Sequence, residues 1–322
     1  MTDINHKWTE PDHKEEIVEY ITEKQNRTGI SSKTLLRWLG IARSKYYDWL
    51  SRDSFFVSHN GQVPKSHWIL EWEKYAIVQY ALSHQMEGYR RLTYMMLDEN
   101  VVAVSPSSVY RVLKKAGLLN RWNMVSSSLK GQGFIQPEKF NEHWHIDIKY
   151  VNFKGTFLFL IAIIDGYTRY IVHHELRTHM QESDVEIVVQ RAIEKYPDVK
   201  PRLISDNGSQ FISKDFTSYM KNMELKHVRT SVRYPQSNGK IERFHRTVHQ
   251  ECLQQKSLIN LEDARRQVAE FIEFYNTKRL HSSLYYLTPD DYVKNKVEKR
   301  LDERRNKLAM AKMNRLFYRN AV

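Results

Sequence analysis

The spacing of apolar positions divides the chain into stretches of different texture. From Asp12 to about Asp53 they recur at helical intervals: Ile17, Val18 and Ile21 within a charged segment, then Ser32 to Leu39, a break at Gly40, and Arg43 to Leu50. This predicts a helical unit over residues 1–53. Residues 54–68 carry Gly61, Pro64 and many polar side chains, which predicts a linker. Ile69 to Gly117 return to helical spacing, with Tyr89–Leu97 and Ser107–Lys115 on either side of a short turn and Ser105-Pro106 marking a helix start. A second helix-turn-helix unit is therefore expected over 69–120. The Ser- and Gly-rich stretch SSSLKGQGFIQ lies in another expected linker, 121–142.

Beyond Trp144 the pattern turns strand-like. HIDIKYVNF, TFLFLIAIID and TRYIVHHEL, parted by turns at Lys154-Gly155 and at Gly166, predict three antiparallel strands. A helix over Ser183–Lys195 follows, read with a Ser183/Glu186 capping box. Then come a strand in PRLISD, a helix near Lys214–Asn222, a strand near Lys226–Thr230 and a helix from about Asn238 to Leu253. Three strands, helix, strand, helix, strand, helix is the order of the ribonuclease H-like α/β fold, expected here over 143–255. The whole chain reads as multidomain: all-α helix-turn-helix units, this mixed-sheet core, and a helical C-terminal extension with a basic tail over 256–322.

Composition narrows the function. The 322 residues are 41% hydrophobic and 27% charged, and 50 Lys plus Arg against 38 Asp plus Glu give a net +12. A globular chain with that excess favours a polyanionic partner, nucleic acid first. The longest apolar run, Phe157 to Ile164, is far shorter than the roughly 20 residues of a membrane span. The start, MTDINHKWTE, lacks an export pattern, so a cytoplasmic, nucleoid-associated location is expected. A single cysteine, Cys252, argues against disulfides and structural zinc. After Tyr292 come ten Lys/Arg and three Asp/Glu, on a predicted helix from Val293 to Met313 that reads as a solvated surface helix or as a DNA clamp or subunit arm.

Three acids sit where this topology brings strand ends and a helix start together: Asp147 mid-strand in WHIDIK, Asp206 at the end of PRLISD, and Glu242 one turn into the last helix. Three hard oxygen donors in a basic protein suit two divalent ions about 4 Å apart, the arrangement that serves in-line phosphodiester displacement. Taken singly, Asp147 facing solvent, Asp206 closing an Asx turn and Glu242 on a wet helix face is the simpler reading of each. On the last helix Ile241, Phe244, Val248 and Cys252 form one apolar stripe, with Glu242, His245, Arg246 and His249 expected on the polar face beside it. Asp165, before Gly166, reads as a turn residue.

WHIDIKY, ISDNGSQF, SNGKIERFHR and YNTKRLHSSLYYLTP together closely resemble the catalytic core of DDE transposases and retroviral integrases, most of all the OrfB-type transposases of the third insertion-sequence family. GYRRLTYMM, SSVYRVLKKAGL and SKYYDWLSR resemble that family's upstream helical segments. The resemblance implies a polynucleotidyl transferase that cleaves insertion-sequence ends and transfers the 3′-hydroxyl strand into DNA. It assigns Asp147, Asp206 and Glu242 to two Mg²⁺ ions, with Mn²⁺ as a substitute, and Asn207, Gly208 and Gln210 to the active-site loop. It also implies double-stranded DNA as partner, both element ends and target, with a homodimer or larger assembly on it and an upstream reading-frame product as a further partner or fused form. Many relatives carry Lys or Arg where this chain has His249. Expected DNA contacts are Arg37, Arg43, Lys45 and Tyr46 from the first helical unit and Arg90, Arg91, Arg111, Lys114 and Lys115 from the second. Lys240, Arg243, Arg246 and His249 join them from the core helix. In the competing reading, Trp38, Tyr47, Trp49 and Leu50 merely pack the first unit's core. A ribonuclease of the same fold and a non-catalytic DNA-binding regulator are the alternative functions.

Overall fold

The computed structural model describes residues 11–51, 68–119, 136–230 and 238–320, in two compact units, Met1–Lys65 and Ser66–Val322. The two expected linkers lie largely outside the described residues.

The first unit holds α1 (Pro11–Thr28), α2 (Ser32–Trp38) and α3 (Arg43–Leu50). Gly40 takes φ 69° just past α2, a left-handed turn that favours glycine and lets Ile41 N–H reach the Leu36 carbonyl at 2.9 Å. Ile21, Leu35, Leu36, Ile41, Tyr46 and Trp49 form its core. The split among the aromatic residues departs from expectation. Tyr46, expected at DNA, is buried, whereas Trp38 is 64% exposed and Tyr47 and Leu50 also face solvent.

The second unit begins with α4 (Glu71–Ser83), α5 (Tyr89–Asp98) and α6 (Pro106–Lys115) around Ile77, Leu92, Met96, Val109 and Leu113. The Ser105 hydroxyl caps α6, accepting the Ser108 N–H at 3.3 Å, with Pro106 in the first turn as predicted.

The core sheet consists of β1 (His143–Phe153), β2 (Thr156–Asp165), β3 (Ile171–Arg177), β4 (Arg202–Ser205) and β5 (His227–Arg229), ordered β3-β2-β1-β4-β5. The first three are antiparallel; β4 joins β1, and β5 joins β4, in parallel. This is the ribonuclease H-like arrangement expected from the element order. Strand alternation divides β2 between two faces. Leu158, Leu160, Ala162 and Ile164 point to one, Ile161 and Ile163 to the other. On the second face pack α7 (Glu182–Lys195), the short α8 (Ser209–Ile212) and α9 (Lys214–Asn222). On the first lie α10 (Gly239–Val248), running into a π turn at His249–Leu253, and α11 (Leu261–Thr277). Each large apolar side chain buried between the layers contributes roughly 1.5–3 kcal/mol.

Three boundaries differ from the sequence reading. The α7 capping box is Gln181/Asp184 rather than Ser183/Glu186, because the chain is still extended at Gln181. The sheet layer does not stop at residue 255, since Val268, Phe271, Ile272 and Tyr275 of α11 cover the β2 face. The tail is α12 (Pro289–Val293), a left-handed Asn295, and α13 (Val297–Asn320), a helix exposed along most of its surface, as the surface-helix reading expects, but anchored along one side. Buried Arg315 forks onto Glu73 of α4 at 2.8–3.0 Å, and buried Arg304 onto Asp98 of α5 at 2.6 and 2.8 Å. Lys307 donates to the Leu97 and Asp98 carbonyls that end α5.

Candidate active site

One expected acid belongs to β1, one follows β4 and one rides on α10. In the β1–β4 register His145 pairs with Ile204, and β4 ends at Ser205. Asp147 lies two residues beyond that last pair on β1, and Asp206 directly follows the end of β4. Asp147 also pairs with Ala162, whose side chain packs in the layer beneath α10, so its carboxylate faces that helix. Asp147 Oδ1 accepts the Ile148 N–H at 2.9 Å, and Oδ2 lies 3.3 Å from His245 Nδ1.

Asp206 closes an Asx turn, Oδ1 accepting the Gly208 N–H at 2.9 Å. A side chain at 208 would bring its Cβ within 3.1 Å of that oxygen, so glycine is what lets the carboxylate settle there. Asn207 Nδ2 donates to the Thr230 carbonyl at 2.8 Å, tying this loop to the strand beside it, and Gln210 lies in α8. The expected loop residues therefore shape the surroundings of Asp206.

Glu242 stands exposed in the first turn of α10, whose apolar stripe Ile241, Phe244, Val248 and Cys252 is buried as predicted. Among the described residues no group of three or more His, Cys, Asp or Glu side chains stands close enough to hold a metal ion. Asp206 follows the strand that pairs with β1 and Glu242 rides on α10, but the three acids are not gathered into such a group.

His245 was expected on the polar face of the helix. It is buried instead, 7% exposed, with its ring against Asp147. Spacing alone gave no signal of this, because a histidine at the border of an apolar stripe fits either side. Asp165, by contrast, is the turn residue it was read to be. Fully buried, it accepts N–H groups from Tyr167 and Thr168 and the Thr168 hydroxyl on Oδ1, and the Asn141 N–H on Oδ2. Burial pushes its carboxyl above the ordinary value, and these donors pull it back in part.

A partly buried carboxylate on the central strand and another just past its parallel neighbour, with exposed Arg243 and Arg246 on the adjoining helix, suit a cation and a phosphate chain together. Comparison with known proteins decides between the chemistries this allows. The integrase core domain family matches residues 137–235, and a second integrase core domain family matches 223–289. The chain is 29% identical over 185 residues to the transposase for insertion sequence element IS904 of Lactococcus lactis, covering 56% of this chain and 70% of that protein. It is 26% identical over 238 residues to the putative transposase InsK for insertion sequence element IS150 of Escherichia coli K12, covering 68% of this chain and 84% of that protein. Residues 137–289 thus match an integrase core, and the matched relatives are transposases of insertion sequences. Its motifs and these relatives agree on the OrfB-type DDE group and on a polynucleotidyl transferase acting as a DNA transposase. Among solved structures it overlaps the HTLV-2 integrase catalytic core domain in complex with magnesium, at 15% identity and a TM-score of 0.39, over 48% of this chain and 97% of that one.

Most of the cations expected at DNA on this transposase are displayed outward. Arg37, Arg43, Arg90, Arg111, Lys114, Lys115, Arg243, Arg246 and His249 are exposed, and Lys45 is half-buried with its ammonium 5.4 Å from the Trp49 ring centroid. Two are engaged inside the fold. Arg91 pairs with Glu87 and lies 3.9 Å from Glu251, which is already forked by buried Arg279 at 2.6 and 2.7 Å. Lys240 donates to the Gly166 carbonyl at 2.8 Å, and burial, helped by nearby Arg169, lowers its ammonium to about 7. The segment YNTKRLHSSL also turns out to be structural. Buried Asn276 donates to the Ile171 carbonyl and accepts its N–H, pinning α11 to the start of β3. No described helix is long and apolar enough to cross a membrane.

Proposed function

We propose that this transposase cuts DNA at the ends of an insertion sequence by water attack and joins the freed 3′-hydroxyl to another phosphodiester. The observation that supports the proposal is Asp147 on β1, its carboxylate facing α10 at 3.3 Å from His245, with Asp206 directly after the end of the neighbouring parallel strand β4.

The donors fit a hard divalent cation: carboxylate oxygens, half-exposed. Asp147, Asp206 and Glu242 would hold Mg²⁺, or Mn²⁺ in its place, once brought together on DNA. Two such ions supply charge neutralisation at the scissile phosphate and a more acidic bound water. The chain's own residues prepare the rest. His245 orients the Asp147 carboxylate, and the Gly208 N–H orients that of Asp206. Arg243, Arg246 and His249, exposed along α10 and its π turn, attract backbone phosphates. Because two ends react together, a second copy of the chain joins on DNA.

Incubating the protein with terminal DNA of the element flanking its gene, with Mg²⁺, Mn²⁺ or chelator, tests this directly. Nicking is expected only with metal. Asp147→Asn should abolish nicking while end binding persists; strand transfer by that variant, or nicking in chelator, sinks the proposal.

A further inference from the structure

Two successive tyrosines, Tyr285 and Tyr286, occupy the left-handed region, with φ 51° and 57°. Residues with a Cβ adopt it at a cost, and two in a row persist only where their surroundings hold them. The holder here is Arg304, which donates to the Tyr285 carbonyl at 3.0 Å and the Tyr286 carbonyl at 2.7 Å. Arg304 is itself fixed by its fork onto Asp98 and stacks 4.8 Å from the Tyr94 ring centroid. Tyr286 in turn stacks on Tyr94, centroids 4.7 Å apart and planes within 17°. The result is a fixed aromatic platform, with the Tyr285 ring 70% exposed beside it.

The platform borders a cleft of about 810 Å³, large enough for a small ligand. Tyr286 lines one side; Tyr89, Arg90, Tyr110 and Arg111 line the other, and no carboxylate faces in. Arg90 Nε donates to the Tyr89 hydroxyl at 3.1 Å, holding that guanidinium at the wall. Tyr89 and Tyr110 meet edge to face, 5.3 Å apart. Tyr89 also packs against the helical core, whereas the Tyr110 side chain is exposed.

Aromatic faces with arginines, in a concavity free of acids, match a nucleobase and its phosphate. A base paired inside a duplex cannot present its face to a recessed ring; one leaving the stack can. We propose that this cleft captures an unpaired nucleotide at the element's end, its base stacked on Tyr286 and its phosphate held by Arg90 and Arg111. The inference rests on the DNA transposase reading and deepens it: the protein grips a frayed strand, not only a duplex.

The test measures binding of the full chain, in chelator, to a duplex of the terminal sequence and to the same duplex with its last three pairs mismatched, a 2-aminopurine marking the freed strand. The wild type should prefer the frayed end by about tenfold, a ratio within what stacking one base contributes, and should quench the 2-aminopurine. Tyr286→Ala should bring the ratio close to one, and Tyr286→Trp should keep it. Tyr286→Gly separates binding from folding: relief of the left-handed strain offsets the lost stacking on Tyr94, so Tm should stay nearer the wild type than in the alanine variant while the preference disappears. A wild-type ratio near one, an unquenched probe, or an unchanged ratio in both the alanine and glycine variants overturns the cleft. An unquenched probe would also leave the surface to a protein partner. Failure of the underlying reading looks different, namely no metal-dependent nicking of any end DNA.

Discussion

Asp147 and Asp165 lie on adjacent antiparallel strands, Asp165 opposite Trp144 and Asp147 three pairs further along, yet their surroundings are opposite. Asp165 is sealed at the β2–β3 turn by four donors. Asp147 is half-open, with one backbone donor and one imidazole. A carboxylate whose oxygens are filled by fixed N–H and O–H groups is a fastener, whereas one left partly unfilled at a crevice retains lone pairs for something that arrives later. Both sit in strand-like runs with apolar neighbours, so burial type and donor count, rather than residue type, assign the roles.

The sharpest way to break this contrast is to exchange the phenotypes. Asp165→Ala leaves three backbone N–H groups buried without an acceptor and should cost about 3–5 kcal/mol in thermal or urea unfolding. The nicking-dead Asp147→Asn should leave Tm nearly where it was. If Asp165→Ala unfolds no more easily than Asp147→Asn, the distinction between fastener and reactive acid is wrong.

Next in size is the single imidazole that Asp147 does possess. His245→Leu should lower metal-dependent nicking roughly 10–100-fold, the usual effect of losing a group that orients a ligand, and His245→Asn should restore part of it. Metal titration of nicking should show the leucine variant shifted to higher Mg²⁺. Equal loss in both variants would make His245 a packing residue only.

The smallest effect concerns pH at the fastened end. Gly166 packs so that a Cβ would meet His145 Nε2 at 3.0 Å and the His143 carbonyl at 3.1 Å. Burial, followed by the charges of Lys240 and Arg169, pushes His145 down to about 3. The folded chain keeps this ring neutral while the unfolded chain protonates it below about 6.5. Stability is therefore whole above that value and lost on acidification, by about 1.4 kcal/mol per pH unit from this group until its folded value is reached. Tm recorded from pH 7.5 to 5 should fall, and His145→Gln should flatten the slope.

How far the sequence disclosed this architecture depended on the range of the interactions involved. Strand runs, the stripe on α10 and the Ser105-Pro106 start are local patterns, and they survive in the fold. The Asp165 turn was legible for the same reason, since Gly166 and Thr168 lie beside it. The α7 cap was misplaced by two residues because several polar side chains compete there, and only the extended backbone at Gln181 decides. Inward-turned Arg91 and Lys240 were read as DNA contacts because their partners, Glu87 with Glu251 and the Gly166 carbonyl, are in the main distant along the chain. The ring of His245 on Asp147 was hidden likewise. So was the role of the terminal helix, whose charge suggested solvent or DNA and whose buried arginines face acids more than 200 positions earlier.

That last arrangement bears on the order of events during synthesis. Glu73 and Asp98 leave the ribosome long before Arg304 and Arg315 exist, so the earlier helices must wait with their counter-charges missing. A nascent chain stopped short of Arg304 would carry a helical unit whose counter-charges are unmet and whose tyrosine platform lacks its support. Emergence of α13 thus becomes a checkpoint for this unit.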